Sequence, residues 1–138
     1  MECTLLIGGL WRVGAICRAG KHYSWFEEFL NELGSNLDPE KERLYTMLAE
    51  TARNGTEELP TERLKSLGDS LFEFRTRRLR VFFFKDEGKI VLLCNGYVKK
   101  SQKANKLELE RARKMKKAYN DAKKAKNLVW KECTDEKL

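Results

Sequence analysis

Between Leu71 and Val98 the chain reads as three β-strands joined by connections too short to be anything but hairpins. Leu71-Phe72-Glu73-Phe74-Arg75-Thr76-Arg77 alternates, with Phe72 and Phe74 on one side and Glu73, Arg75 and Arg77 on the other. Leu79-Arg80-Val81-Phe82-Phe83-Phe84 is apolar on both sides near its centre, Asp86-Glu87-Gly88 is a turn, and Lys89 to Val98 is a third strand. Consecutive strands with such connections pair antiparallel, so this stretch is a meander around which the rest must pack.

Helical signals lie on either side of it. Ser24 opens S-x-x-E with Glu27, a capping box, and Phe26, Phe29, Leu30 and Leu33 follow on one helical stripe that Gly34 ends. Asp38-Pro39 starts a second helix, with Asp38 as cap and Pro39 at the first helical position; Leu44, Met47, Leu48 and Ala52 form its stripe, and Asn54-Gly55 stops it. After the meander, Asn105-x-x-Glu108 is another capping box, and a long helix from about Lys106 to Lys126 carries Ala112, Met115, Tyr119 and Ala122 on one side. Ahead of all three helices, Trp11 to Arg18 reads as a strand. The order β–α–α–β–β–β–α predicts a two-layer α+β domain, with helices on one face of a small sheet and the other face partly open. The expected organisation is an N-terminal extension at 1–10, one domain over 11–126 and a C-terminal tail at 127–138.

Charge is unevenly distributed. Residues 1–60 carry a net −4 and residues 61–138 a net +11, which make up the overall +7 of the 138-residue chain. A basic half of this kind faces a polyanion, so nucleic acid or an acidic protein is the expected class of partner. No run of apolar residues approaches a membrane span, and nothing near the N-terminus reads as a secretory signal. Cys3, Cys17, Cys94 and Cys133 are spaced too widely for CxxC zinc or redox motifs and fit reduced thiols in a cytoplasm.

The basic residues converge on the meander. Arg75 and Arg77 share one side of its first strand, Arg78 and Arg80 lie in the tight connection and at the start of the second, and Lys99, Lys100 and Lys103 follow the third. Side chains on one face of adjacent strands stand close enough to hold a common phosphate. Arginine offers a planar fork for phosphate oxygens and lysine a mobile point charge. Tyr97 can stack on a base, or serve as a core residue. The competing expectation is that these arginines pair with Glu73 and Asp86. RNA cleavage through the 2′-hydroxyl needs a base, cations for the charged phosphorane and an acid for the 5′-oxygen. The single histidine, His22, lies far from the basic residues in sequence, so the chemistry falls to lysine and arginine. No carboxylate pair, glycine-rich phosphate loop or metal-ligand cluster offers a rival site, and no cofactor is expected.

These residues fall into motifs. Leu67-Gly68-Asp69-Ser70-Leu71-Phe72-Glu73-Phe74-Arg75 is similar to the L-G-D-G-L-W-E-L-R segment of the phage-derived Gp49-like branch of RelE/HigB toxins. Arg80 to Phe84 resembles its R-I-F-Y-F strand. Leu92 to Lys103 resembles L-L-x-H/N-G-F-x-K-K-T-Q-K, and Glu108 to Ala112 resembles E-I-E-R-A. In order, the motifs cover about residues 67–120. The resemblance implies a RelE-like fold and the toxin of a type II toxin–antitoxin pair, which enters the ribosomal A site, cleaves mRNA there without a metal and is held in check by an antitoxin, expected to be of helix-turn-helix type. Carried over, Arg75 and Arg80 would stabilise the scissile phosphate, Lys99 or Lys100 would accept a proton or clamp the phosphate, and Tyr97 would stack on a base. Lys103 matches the last lysine of the run and, with Asn95, belongs to the expected RNA-binding set, which Lys65, Arg77 and Arg78 join from their place in the basic half. Asn95 stands where many relatives have histidine, leaving proton transfer unassigned. Two other outcomes stay open: a ParE-like toxin acting on DNA gyrase, since scaffold does not decide target, and a catalytically inactive phage-derived module that binds RNA or antitoxin.

Overall fold

The computed structural model describes residues 1–101, 103 and 105–132; Cys133 and the rest of the tail lie outside them. The elements in order are β1 (Glu2–Ile7), β2 (Arg12–Ile16), α1 (Trp25–Asn31), a 3-10 turn (Ser35–Leu37), α2 (Asp38–Asn54), β3 (Leu64–Ser66), β4 (Leu71–Arg75), β5 (Leu79–Asp86), β6 (Ile90–Val98), α3 (Lys106–Lys124) and β7 (Val129–Glu132).

The expected meander is β4–β5–β6, antiparallel throughout, and it forms the middle of a sheet ordered β3-β4-β5-β6-β2-β1-β7. β2 joins β6 in parallel, β1 returns antiparallel on β2, and β7 runs parallel to β1. The mixed α+β class stands, but three strands join it that the local pattern did not announce. β1 occupies the segment expected as an extension, β7 lies in the expected tail, and β3 is a three-residue edge on β4.

The two-layer expectation is corrected: both faces of the sheet are covered. Phe26 and Leu30 of α1 and Leu44, Met47, Leu48 and Ala52 of α2 pack against Val13, Ala15, Phe74, Val81, Phe83, Val91 and Leu93. Ala112, Met115 and Tyr119 of α3 pack against Ile16, Leu71, Phe82, Phe84, Leu92 and Cys94, the alternate residues of the same strands. α3 is fixed at the far end by Asp86, which accepts from Tyr119 Oη at 2.5 Å and from Lys123 Nζ at 2.6 Å.

Local signals place the helix starts. Ser24 and Glu27 make the reciprocal capping box. α2 begins one residue earlier than its motif suggests, with Asp38 already helical and Leu37 as the cap. Only half of the second expected box forms: Asn105 Oδ1 accepts from the Glu108 amide, while the Glu108 carboxylate accepts instead from Asn95 and Arg111. Gly96 is required by proximity, since a Cβ there would lie 2.7 Å from the Phe29 ring and 2.8 Å from the Arg80 carbonyl. That close approach seats α1 against the end of β6, beside the basic residues.

Candidate nucleic-acid interface

Alternation along β4 and β5 sends Phe74 and Val81 into the core under α1 and α2, and Glu73, Arg75 and Arg80 to the opposite face. In the register Arg75 stands across from Arg80, and Arg80 across from Tyr97. One row over, Lys65 of β3 stands across from Glu73. α3 covers this face over Leu71, Phe82 and Phe84. Near the strand ends, Arg75 and Tyr97 remain part-exposed. Arg75, Arg80 and Tyr97 are therefore brought together in one row.

The two arginines are not equivalent. Arg80 is 7% exposed and donates through Nη1 to the carbonyls of Thr76 at 2.6 Å and Leu79 at 2.9 Å. The Arg75 side chain keeps 25% of its surface. Glu73 lies between them, its Oε1 at 3.4 Å from Arg75 Nε and 3.7 Å from Arg80 Nε. These are ion-pair distances without hydrogen-bond geometry, and both Nε groups are buried with no hydrogen-bond partner. The fold thus leaves donor capacity unused at this point, which is uncommon for buried groups. Burial and the neighbouring Arg75 charge lower the Arg80 pKa, partly offset by Glu73; a guanidinium stays protonated regardless. The expectation that the arginines pair with acids holds for Glu73 but not for Asp86, which is engaged by α3.

Tyr97 is packed on one side and open on the other. Its ring lies 5.7 Å from that of Phe82, tilted by 33°, yet the residue is only half buried. Burial and Glu73 push its hydroxyl pKa up, against an Asn105 backbone hydrogen bond and the two arginines. It also lines a cavity of about 540 Å³ between α1, the end of β6 and the start of α3, with Lys100 and Lys103 on the rim.

Asn95, one of the expected RNA-binding residues, is held between β6 and α3. It is 3% exposed, and its Nδ2 donates to the Glu108 carbonyl at 3.0 Å and to Glu108 Oε2 at 2.8 Å. The amide thereby ties β6 to the first turn of α3. Arg77 and Arg78 are exposed in the β4–β5 connection, and Lys65 is exposed on the edge strand. The Lys99 backbone amide donates to the Arg78 carbonyl at 2.7 Å, which fixes where the lysine run leaves the sheet. His22 is exposed, in the loop ahead of α1.

Glu40 has no part in the sequence reading. Although only 6% exposed, it reaches from the first turn of α2 to the β4–β5 connection, where Oε1 accepts from Thr76 Oγ1 at 2.7 Å and from the Arg78 amide at 2.6 Å. Burial alone would raise its pKa, but these bonds and Arg43 outweigh it and hold the carboxyl below its ordinary range. Its spacing in a surface-like acidic stretch gives no hint of this contact, which joins residues 36 and 38 apart.

Comparison with known proteins supplies the family. The model of the phage-derived Gp49-like proteins matches residues 31–117, which runs from the end of α1 through most of α3. The chain belongs to that family. The site row of this Gp49-like chain, from Lys65 to Lys103, falls wholly within the matched residues. Among solved structures, it is similar to the RelB–RelE antitoxin–toxin complex from Methanococcus jannaschii at 9% identity, over 53% of this chain and 82% of that one, with a TM-score of 0.42. No curated protein matches it. Among the described residues no helix is long and apolar enough to cross a membrane, and Cys3, Cys17 and Cys94 are buried without disulfides.

Proposed function

We propose that this chain is the toxin of a type II toxin–antitoxin pair and an mRNA endonuclease that works on the ribosome. The observation that carries the reading is the row Arg75–Arg80–Tyr97 at an accessible end of the sheet, with buried, unsatisfied guanidinium donors beside a half-buried aromatic ring. A scissile phosphate at Arg75 meets the charge of both arginines, and Tyr97 supports a neighbouring base by stacking. The 2′-oxygen attacks the adjacent phosphorus, the new 2′-O–P bond forms and the P–5′-O bond breaks. Lys99 or Lys100 takes the 2′-hydroxyl proton or clamps the phosphate, and a proton is returned to the leaving 5′-oxygen. Arg75 acts on the charge that develops on the phosphorane, the effect that dominates such reactions. Arg80, largely buried, contributes its field and holds the row in shape.

Nothing in this scheme requires a metal or a cofactor. It has no histidine at the reacting atoms, so the ribosomal A site must hold the mRNA in an attack-ready geometry. The partner that silences it is an antitoxin of helix-turn-helix type covering the basic residues. The cavity bordered by Lys100 and Lys103 accommodates a nucleotide adjoining Tyr97. An inactive binding module is the second reading, supported by Asn95, whose amide is committed to Glu108 and not free for chemistry.

The two target classes separate in a cell-free translation system run beside a gyrase supercoiling assay. Purified protein should stop translation and leave supercoiling untouched, and Arg75→Ala should restore translation. Inhibited supercoiling with normal translation would assign the chain to the gyrase-directed class instead.

A further inference from the structure

Beyond the row just described, four arginines surround a separate cleft of about 330 Å³ where α2, the loop ahead of β3 and the β4–β5 connection meet. They are Arg43, Arg63, Arg75 and Arg77, with Glu62 on the rim and Met47 behind. Arg43 is paired with Glu40 at 2.7 Å, and Arg75 lies near Glu73. The side chains of Arg63 and Arg77 have no hydrogen-bond or ion-pair partner among the described residues. Four guanidinium groups around one small cleft repel each other, and a bound anion relieves that repulsion.

The arginines are held in place by the backbone that carries them. The Arg75 amide donates to the Arg63 carbonyl at 2.8 Å, and the Arg63 amide to the Pro60 carbonyl at 2.9 Å. Glu40 joins the other two walls, gripping Arg43 with one oxygen and the Thr76–Arg78 connection with the other. A cleft built on fixed backbone loses little on binding, which is the condition for an anion site of useful affinity.

We propose that this cleft is a second phosphate site, taking the backbone phosphate of single-stranded RNA next to the one at Arg75 and Arg80. Arg75 belongs to both sites: it stands across from Arg80 in the sheet and lines the cleft. A polymer with one anion per unit occupies both with a single strand, which an acidic side chain at irregular spacing does not. The proposal rests on the RNA reading above and adds Arg43 and Arg63 as binding residues and Glu40 as the positioning residue between them.

The test is the salt dependence of binding of a labelled short oligouridylate, by fluorescence anisotropy between about 50 and 200 mM salt. Each phosphate contact removed lowers the slope of log K against log salt by about 0.7 for a single strand. Arg63→Ala and Arg77→Ala should each flatten the slope toward that extent. Arg53→Ala, at the other end of α2, should not. Inorganic pyrophosphate should compete with the oligonucleotide for wild type and less well for Arg63→Ala. A Glu40→Ala variant should lose the same phosphate contact, while Glu40→Gln, which keeps an oxygen for Thr76 and Arg78, should retain most of it. Unchanged slopes for both Arg63→Ala and Arg77→Ala would overturn the cleft while leaving cleavage at the Arg75–Arg80 row standing. Competition by a polyglutamate peptide but not by pyrophosphate would also overturn it. A protein that cuts no mRNA, yet shows the flattened slopes, would retain the cleft and lose the nuclease reading.

Discussion

At the scale of single residues, the site depends on two arginines that resemble each other in sequence and differ in surroundings. Arg75 is part-exposed and Arg80 is not, so their removal should be felt differently. Under the proposed reaction, Arg75→Ala takes away the fork for the scissile phosphate; cleavage should fall by about 10²-fold, with less than about 1 kcal/mol change in stability. Arg80→Ala should lose activity as well, and in addition leave the Thr76 and Leu79 carbonyls without the buried guanidinium that donates to them. A cost on the order of 2 to 3 kcal/mol follows from removing a buried charged donor from two acceptors. Urea unfolding of the two variants checks this; equal stability would mean that Arg80 is as free as Arg75. The motif spacing marks both arginines, but their difference lies in the Thr76 and Leu79 carbonyls that hold Arg80, and these follow from the path of the β4–β5 connection.

At the scale of elements, α3 is joined to the sheet by Asp86, and that junction has a pH signature. Burial alone would raise the Asp86 pKa; bonds from Lys123, Tyr119 and the Glu87 amide outweigh it and hold the carboxyl below its ordinary value. A carboxyl lowered in the folded state stabilises fully above its unfolded pKa of about 3.9 and loses that contribution as pH falls through the folded value. The stability gap between wild type and Asp86→Asn should therefore be constant above about pH 5 and shrink below pH 4. A gap independent of pH down to 2 would remove Asp86 from the account. The helices and the meander were legible from capping boxes, apolar stripes and alternation. The side on which α3 packs was not, although a cue was present: Val81 to Phe84 and Ile90 to Cys94 are buried on both faces, as befits a strand covered twice. β7 carries no local signal because it is placed by pairing with β1, more than 120 residues away, whereas β1 becomes a strand by pairing on both sides, with β2 as well as with β7.

At the scale of the whole molecule, the two ends of the described chain complete the sheet. The Met1 ammonium donates to the Asn127 carbonyl at 2.8 Å, and Trp130 covers Gly14 so closely that a Cβ there would meet its ring at 2.5 Å. The segment from Leu128 to Trp130 thus packs back onto the domain, with Leu128 partly buried against the α3-side core. The acidic N-terminal half supplies much of α1 and α2 on one face, while the basic half provides the arginine row and α3. Glu40 is the place where the two halves meet at the site. The central claim is that this assembled face cuts mRNA held by the ribosome. Primer extension on mRNA in programmed ribosomes, with naked mRNA and an Arg75→Ala/Arg80→Ala double variant alongside, measures that directly. Cuts within the A-site codon that require both the ribosome and the arginines are the predicted result. Intact mRNA with the protein bound to the ribosome, or cuts that persist in the double variant, would contradict it.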